Sequence, residues 1–163
     1  LICAAALLLF SCTSAEQQKQ KEIVKLETEL KQEFREDAAR KLVKEYEAYF
    51  TKYPESKESK EYLFRAANTL VSLREGKRAI AYFDQYMSKY PDDKNTPVCL
   101  FTKALTYDTA LGDKASAVAA YQEFISRYPE HEFADDAQNA LLLLQDPLEL
   151  IRSFEARQDT VQP

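Results

Sequence analysis

Glycine is nearly missing: there are two in 163 residues, with six prolines and no tryptophan. So little glycine excludes architectures that depend on many tight turns, which draw on its left-handed backbone freedom. Helix is the expectation that remains. One histidine and three cysteines leave little material for metal centres or histidine-based catalysis. A basic stripe is missing too, since 22 Lys and Arg stand against 27 Asp and Glu for a formal net charge of −5. Nucleic acid is therefore not expected as a partner, because it demands concentrated positive charge. What is plentiful is 45% hydrophobic and 30% charged residues, the balance of a folded domain rather than a disordered chain.

Leu1 to Phe10 form an uncharged run too short to cross a bilayer core, which takes about 20 apolar residues. An apolar stretch followed by small residues reads as the hydrophobic part of a secretory signal and its cleavage zone. The chain starts without Met or a basic stretch, so a few residues are expected to precede it. Leu9-Phe10-Ser11-Cys12 resembles the bacterial lipoprotein signal; Leu9 and Ser11 fit, while Phe10 is bulkier than the usual small residue. The resemblance implies cleavage before Cys12, acylation of Cys12 and attachment to a membrane. Thr13 and Ser14, with no acidic residue in second place, imply the outer membrane and its periplasmic face. The alternative is a plain signal peptide with an incidental cysteine. Residues 1–11 are thus assigned to a signal peptide and 12–22 to the lipidated cysteine with a polar tether. Cys3 would leave with the signal, so Cys99 stands alone in the mature chain and no internal disulfide is possible. Within Val98-Cys99-Leu100-Phe101 it reads as a small buried side chain.

Three later segments superimpose without gaps. Leu42-Val43, Tyr46, Tyr49-Phe50 and Tyr53-Pro54 repeat as Ala79-Ile80, Phe83, Tyr86-Met87 and Tyr90-Pro91, then as Ala117-Val118, Tyr121, Phe124-Ile125 and Tyr128-Pro129. At about 100° per residue these apolar positions fall within a wedge of roughly 120°, one face of a helix. Amphipathicity alone would not place a Tyr-Pro at each end, nor space the prolines 37 and then 38 residues apart. Proline stops each helix because it lacks an N–H and disfavours helical geometry in the residue before it.

A further helix is expected between successive stripes. Ser56 is positioned to cap one running through Tyr62, Leu63, Phe64, Ala66, Ala67 and Leu70 to Gly76. Thr96 is positioned as a cap with Pro97 in the first turn, for a helix ending at Gly112, and Asp113 opens the next. Both glycines are expected to be left-handed helix ends. Leu63-Phe64-x-x-Ala67 matches Leu100-Phe101-x-x-Ala104, setting a small residue where paired helices approach.

The unit of helix, tight turn, helix and Tyr-Pro resembles the tetratricopeptide repeat, whose usual length is about 34 residues. Ala79 and Ala117 match that family's small residue opening the second helix, Phe83 and Tyr121 its aromatic, and Pro91 and Pro129 its closing proline. Tyr86 and Phe124 depart from its later small residue, its early Trp is absent, and the period is longer. Long Tyr-Pro-ended repeats of this kind resemble those of bacterial envelope lipoproteins. Examples are the helical lipoprotein of the β-barrel assembly machinery and the periplasmic partner of the Tol-Pal system. The implied fold is all-α, a tetratricopeptide-like helix-pair solenoid of about three repeats with a long N-terminal helix, over residues 23–157.

At the front, Ile23, Leu26, Leu30, Phe34, Ala38 and Leu42 continue the stripe, and Ser14-x-x-Gln17 resembles a capping box. A single helix from Glu16 to Tyr53 would be ~57 Å long; a break near Glu36-Asp37 is the alternative. The apolar seam of residues 16–33 is thin, so a monomer is expected over a coiled-coil assembly. Glu132 to Leu144 reads as a further helix, Asp146-Pro147 as the cap of a last one carrying Leu148, Ile151 and Phe154, and 158–163 as a disordered tail.

No catalytic constellation, cofactor motif or metal-ligand set is found. His131 lies in a turn, and Asp135 with Asp136 suits the positive end of a helix dipole better than a metal. The remaining expectation is a non-catalytic scaffold that binds protein partners in an envelope complex. In the tetratricopeptide family the first helices line a concave groove. By register, Phe64 and Asn68 of one unit and Phe101, Leu105 and Asp108 of the next point that way. The two Phe rings would anchor an extended or helical peptide, with Asn68 and Asp108 fixing its backbone. Alternatively, both rings belong to the core. Two other classes stay open: an envelope lipoprotein binding a small molecule or glycan, and a structural lipoprotein that self-assembles through its N-terminal helix.

Overall fold

The computed structural model describes the backbone of residues 2–145 and 148, and the side chains of residues 15–145 and 148. Seven helices and no strand are found among them: α1 Ile2–Gln32, α2 Glu36–Lys52, α3 Lys57–Ser72, α4 Gly76–Lys89, α5 Thr96–Thr109, α6 Lys114–Arg127 and α7 Ala134–Gln145. This is the all-α, helix-pair fold expected from the repeat. The chain forms two compact units that meet in sequence between Glu75 and Gly76. The proposed last helix (Asp146, Pro147, Ile151, Phe154) and the tail 158–163 lie outside the described residues, while Leu148 is exposed.

In the first unit, α1 and α2 form an antiparallel hairpin. Residues 16 to 53 do not make one helix; the chain breaks at Glu33-Phe34-Arg35. Arg35 is extended at the N-cap of α2, and Glu36 and Asp37 occupy the first turn, where their charge offsets the helix dipole. The turn lets Ile23 and Leu26 become buried, whereas Phe34, read as part of the stripe, is left 54% exposed. Ser14 lies inside α1, so Ser14-x-x-Gln17 opens no helix. The antiparallel course shows in the cross-links. Glu16 and Gln20 bond Tyr49, Lys19 pairs with Glu45, and Glu27 bonds Tyr46. Packing of α2 on α3 is aromatic: Tyr62 stacks on Tyr46 at 5.1 Å and meets Tyr49 edge-on at 4.8 Å.

The second unit packs α4, α5, α6 and α7 in succession. Its core holds Phe83, Tyr86, Cys99, Leu100, Tyr121 and Phe124, with Ala79, Ala104, Ala117 and Ala137 fully buried where helices approach closely. Each large buried side chain contributes about 1.5–3 kcal/mol by leaving water. Cys99 is buried and its thiol is pushed up to about 12, chiefly by desolvation.

The Tyr-Pro motif is a recurring joint. In all three copies the Tyr amide donates to the carbonyl four residues back, at 2.8 Å, closing the helix before proline. Lys52, Lys89 and Arg127 each sit over the ring of the Tyr that follows. Ser59 and Thr96, six residues after Tyr53 and Tyr90, return their hydroxyls to those tyrosines' carbonyls at 2.5 and 2.6 Å. The third copy has Ala134 there. Seven residues after Tyr49, Tyr86 and Phe124 come Ser56, Asp93 and His131. The first two bond the phenols at 2.9 and 2.7 Å, and His131 meets the Phe124 ring edge-on.

Several helix ends differ from expectation. Ser56 stands at the N-cap of α3 but spends its hydroxyl on Tyr49 and Glu58, and makes no cap bond. Asn95, not Thr96, is the N-cap of α5, because Thr96 turns inward to Tyr90. Asp113 does cap α6, accepting from the Ser116 amide at 3.1 Å. Gly112 is left-handed at φ 64 as expected. Gly76 is not: it starts α4, and Arg74 takes the left-handed place after α3 at φ 58. The Arg74 and Glu75 amides return to Val71 and Leu70, a Schellman closure achieved without glycine. Gly76 answers a packing need instead, since a Cβ there would sit 3.1 Å from Leu111 and 3.2 Å from Thr106.

Candidate functional site

A cleft of about 520 Å³ opens in the first unit. The last turns of α1 contribute Glu27, Leu30, Lys31 and, just beyond, Phe34; α2 contributes Leu42 and Tyr46; α3 contributes Phe64, Arg65, Asn68, Thr69 and Ser72. Its apolar part therefore combines two aromatic rings and two leucines with the face of Tyr46. The α3 residues recur at helical spacing, so one stripe of that helix forms one wall.

One edge of the cleft is fixed electrostatically. Glu27 Oε1 accepts from the Tyr46 hydroxyl at 2.6 Å and from Arg65 Nη1 at 2.7 Å, and Arg65 Nε reaches Glu61 at 2.8 Å. Burial, reinforced by the Glu27 carboxylate, raises the Tyr46 phenol far above its ordinary range, so it stays a donor. The other polar residues are partly occupied by their own helix. Asn68 Nδ2 bonds the Phe64 carbonyl at 2.9 Å, Thr69 bonds that of Arg65, and Ser72 that of Asn68. Lys31, at the last turn of α1, is exposed.

Of the residues expected at a binding surface, the structure brings Phe64 and Asn68 together in this cleft. In the second unit, Phe101 lies half-buried in an aromatic cluster, stacked on Phe133 at 4.8 Å and tilted against Phe124 at 5.5 Å. Leu105 is 40% exposed and Asp108 half-buried. The Tyr121 hydroxyl is buried with no hydrogen-bond partner among the described residues, and its phenol is pushed up to about 12 by desolvation and then by the charge of Asp108. His131 accepts the Phe133 amide on Nδ1 at 3.2 Å and packs against two Phe rings. No group of three or more His, Cys, Asp or Glu placed to hold a metal is found among the described residues.

Leu30, Lys31, Phe34 and Arg65 were not legible as cleft residues, because the front stripe reads as running straight into the first Tyr-Pro helix. The available signal was Glu36-Asp37, an acidic pair of the kind that opens a helix, directly after Phe34-Arg35.

With this fold in hand, comparison with protein families matches the chain to YfiO, described as an outer membrane lipoprotein, over residues 17–150. The chain belongs to this family. No curated protein matches it significantly. The match runs from within α1 to beyond the end of α7 and includes all of the cleft and aromatic-cluster residues just described. No helix among the described residues is long and apolar enough to cross a membrane.

Proposed function

We propose that the protein is a non-catalytic scaffold of the outer-membrane periplasmic face, anchored by acylation of Cys12, which captures a segment of a partner protein in the cleft of its first unit. The role fits an outer-membrane assembly complex. The observation that carries it is the open cleft itself, where Phe34 and Phe64 offer apolar anchorage beside Lys31, Arg65 and Asn68. An extended or helical peptide places side chains against the rings and its backbone against Asn68. A separate contact is proposed in the second unit at Leu105 and Asp108, beside the half-buried ring of Phe101. Membership of an outer-membrane lipoprotein family supports the anchor.

Two experiments test the reading. Wild-type protein should fractionate with membranes and show an acylated mature mass, and Cys12→Ala should lose both. Co-purification from cross-linked envelopes should recover specific partners with wild type and lose them with Phe64→Glu, whose helical content should be unchanged. Retention of the same partners by a folded Phe64→Glu protein contradicts the cleft assignment.

A further inference from the structure

The first described side chains of α1 leave almost no slack between Cys12 and the folded body. Tyr49 donates to Glu16 Oε1 at 2.7 Å, accepts from Gln20 Nε2 at 2.7 Å and meets Ser56 Oγ at 2.9 Å. Lys19 pairs with Glu45. Tyr49 is itself fully buried in α2. Glu16 is therefore fixed to the end of the first unit made by the close of α2, the Tyr53–Ser59 turn and the first turn of α3. The stretch 12–22, expected to be a tether, is helical throughout and engaged with α2 from Glu16 onward.

Chain geometry then bounds the distance. Cys12 to Glu16 is four residues, which span about 6 Å as helix. Stretched to the limit, they reach only about 14 Å. The exposed residues at this end include Lys52, Glu55 and Lys57, whereas Val24 and Phe34, the exposed large apolar residues described in this unit, lie further along α1 and beyond it. The surface suits a charged headgroup layer, not an acyl interior.

We infer that this end of the first unit stands directly on the phospholipid headgroups of the leaflet that holds the anchor. The inference rests on acylation of Cys12, as proposed above. Along α1, the cleft begins at Glu27 and reaches Phe34, about 16–27 Å beyond Glu16 at helical rise. A partner segment is thus taken up at a fixed reach from the anchoring point, not by a domain swinging on a leash.

The chain has no tryptophan, so a single introduced Trp reports alone. The lipidated full chain carrying Glu55→Trp is reconstituted into phosphatidylethanolamine–phosphatidylglycerol vesicles containing headgroup spin-labelled lipid. A second protein adds 20 Gly/Ser residues between Ser14 and Ala15, enough for a mean span of about 25 Å. Quenching should be strong in the first and at least about twofold weaker in the second, since the insert exceeds the 14 Å bound. Lys57→Trp repeats the measurement if Glu55→Trp misfolds. An acylated protein whose Trp is quenched equally weakly with and without the insert overturns the inference and leaves the anchor standing. A mature mass without acyl groups overturns the anchor, and the inference with it.

Discussion

Phe64 and Phe101 hold the same place in the repeat, thirty-seven residues apart, and the fold uses them differently. Phe101, half-buried, packs in a cluster with Phe133, Phe124 and Tyr121. Phe64 lines an open cleft with Leu30 and Phe34. After α6 the turn supplies Phe133, which stacks on the Phe101 ring. A repeat fixes where a ring starts and its surroundings decide whether it becomes structure or surface.

The largest effect expected from this contrast is on stability. Phe101→Ala should destabilise the protein by about 3 kcal/mol and Phe64→Ala by only about 1, as a ring removed from a cluster leaves a void and one removed from a cleft widens it. Urea denaturation of both variants measures it, and equal losses would erase the distinction. Next, each unit holds a buried phenol pushed up to about 12, Tyr62 in the first and Tyr121 in the second, with burial as the main cause. The folded state holds these protons more tightly than the unfolded one. Their contribution, about 2 kcal/mol each, is complete below about pH 10 and is lost as pH rises toward 12. Ultraviolet titration of tyrosinate followed alongside circular dichroism should show both units unfolding in that window. Tyr62→Phe and Tyr121→Phe should each reduce the alkaline loss.

Smaller effects test the joints. Ser59→Ala and Thr96→Ala should each cost about 1 kcal/mol by leaving the Tyr53 or Tyr90 carbonyl without its hydroxyl partner. Thermal melts of the two variants should shift by similar amounts, one joint from each side of the comparison. Gly112→Ala, at a left-handed residue with open space around its Cβ position, should cost about 1 kcal/mol by backbone strain alone.

Much of the helix order was legible because burial and Tyr-Pro carry the same message. Tyr46, Tyr49, Phe83, Tyr86, Tyr121 and Phe124 fall on the inner face and are all buried. Gly112 was legible for the same reason, a helix end followed by a capping Asp113. Gly76 was misread because a left-handed residue and a close approach select the same amino acid, and only the position of Leu111 and Thr106 tells them apart. The cleft was half legible: Phe64 and Asn68 followed from repeat register, whereas Leu30, Lys31 and Phe34 depend on how α1 turns back on α2. Periodicity within a strand of sequence does not encode that turn, and Phe34 fits the stripe as well in a helix as in a break.

The most direct measurement places a photo-crosslinking side chain at position 64 or at position 101 in the anchored protein and irradiates intact envelopes. A discrete partner adduct from position 64 and none from position 101 is the predicted outcome. Adducts from 101 with silence at 64 would show that the ring of the aromatic cluster, not the ring of the cleft, meets the partner, and would contradict the account.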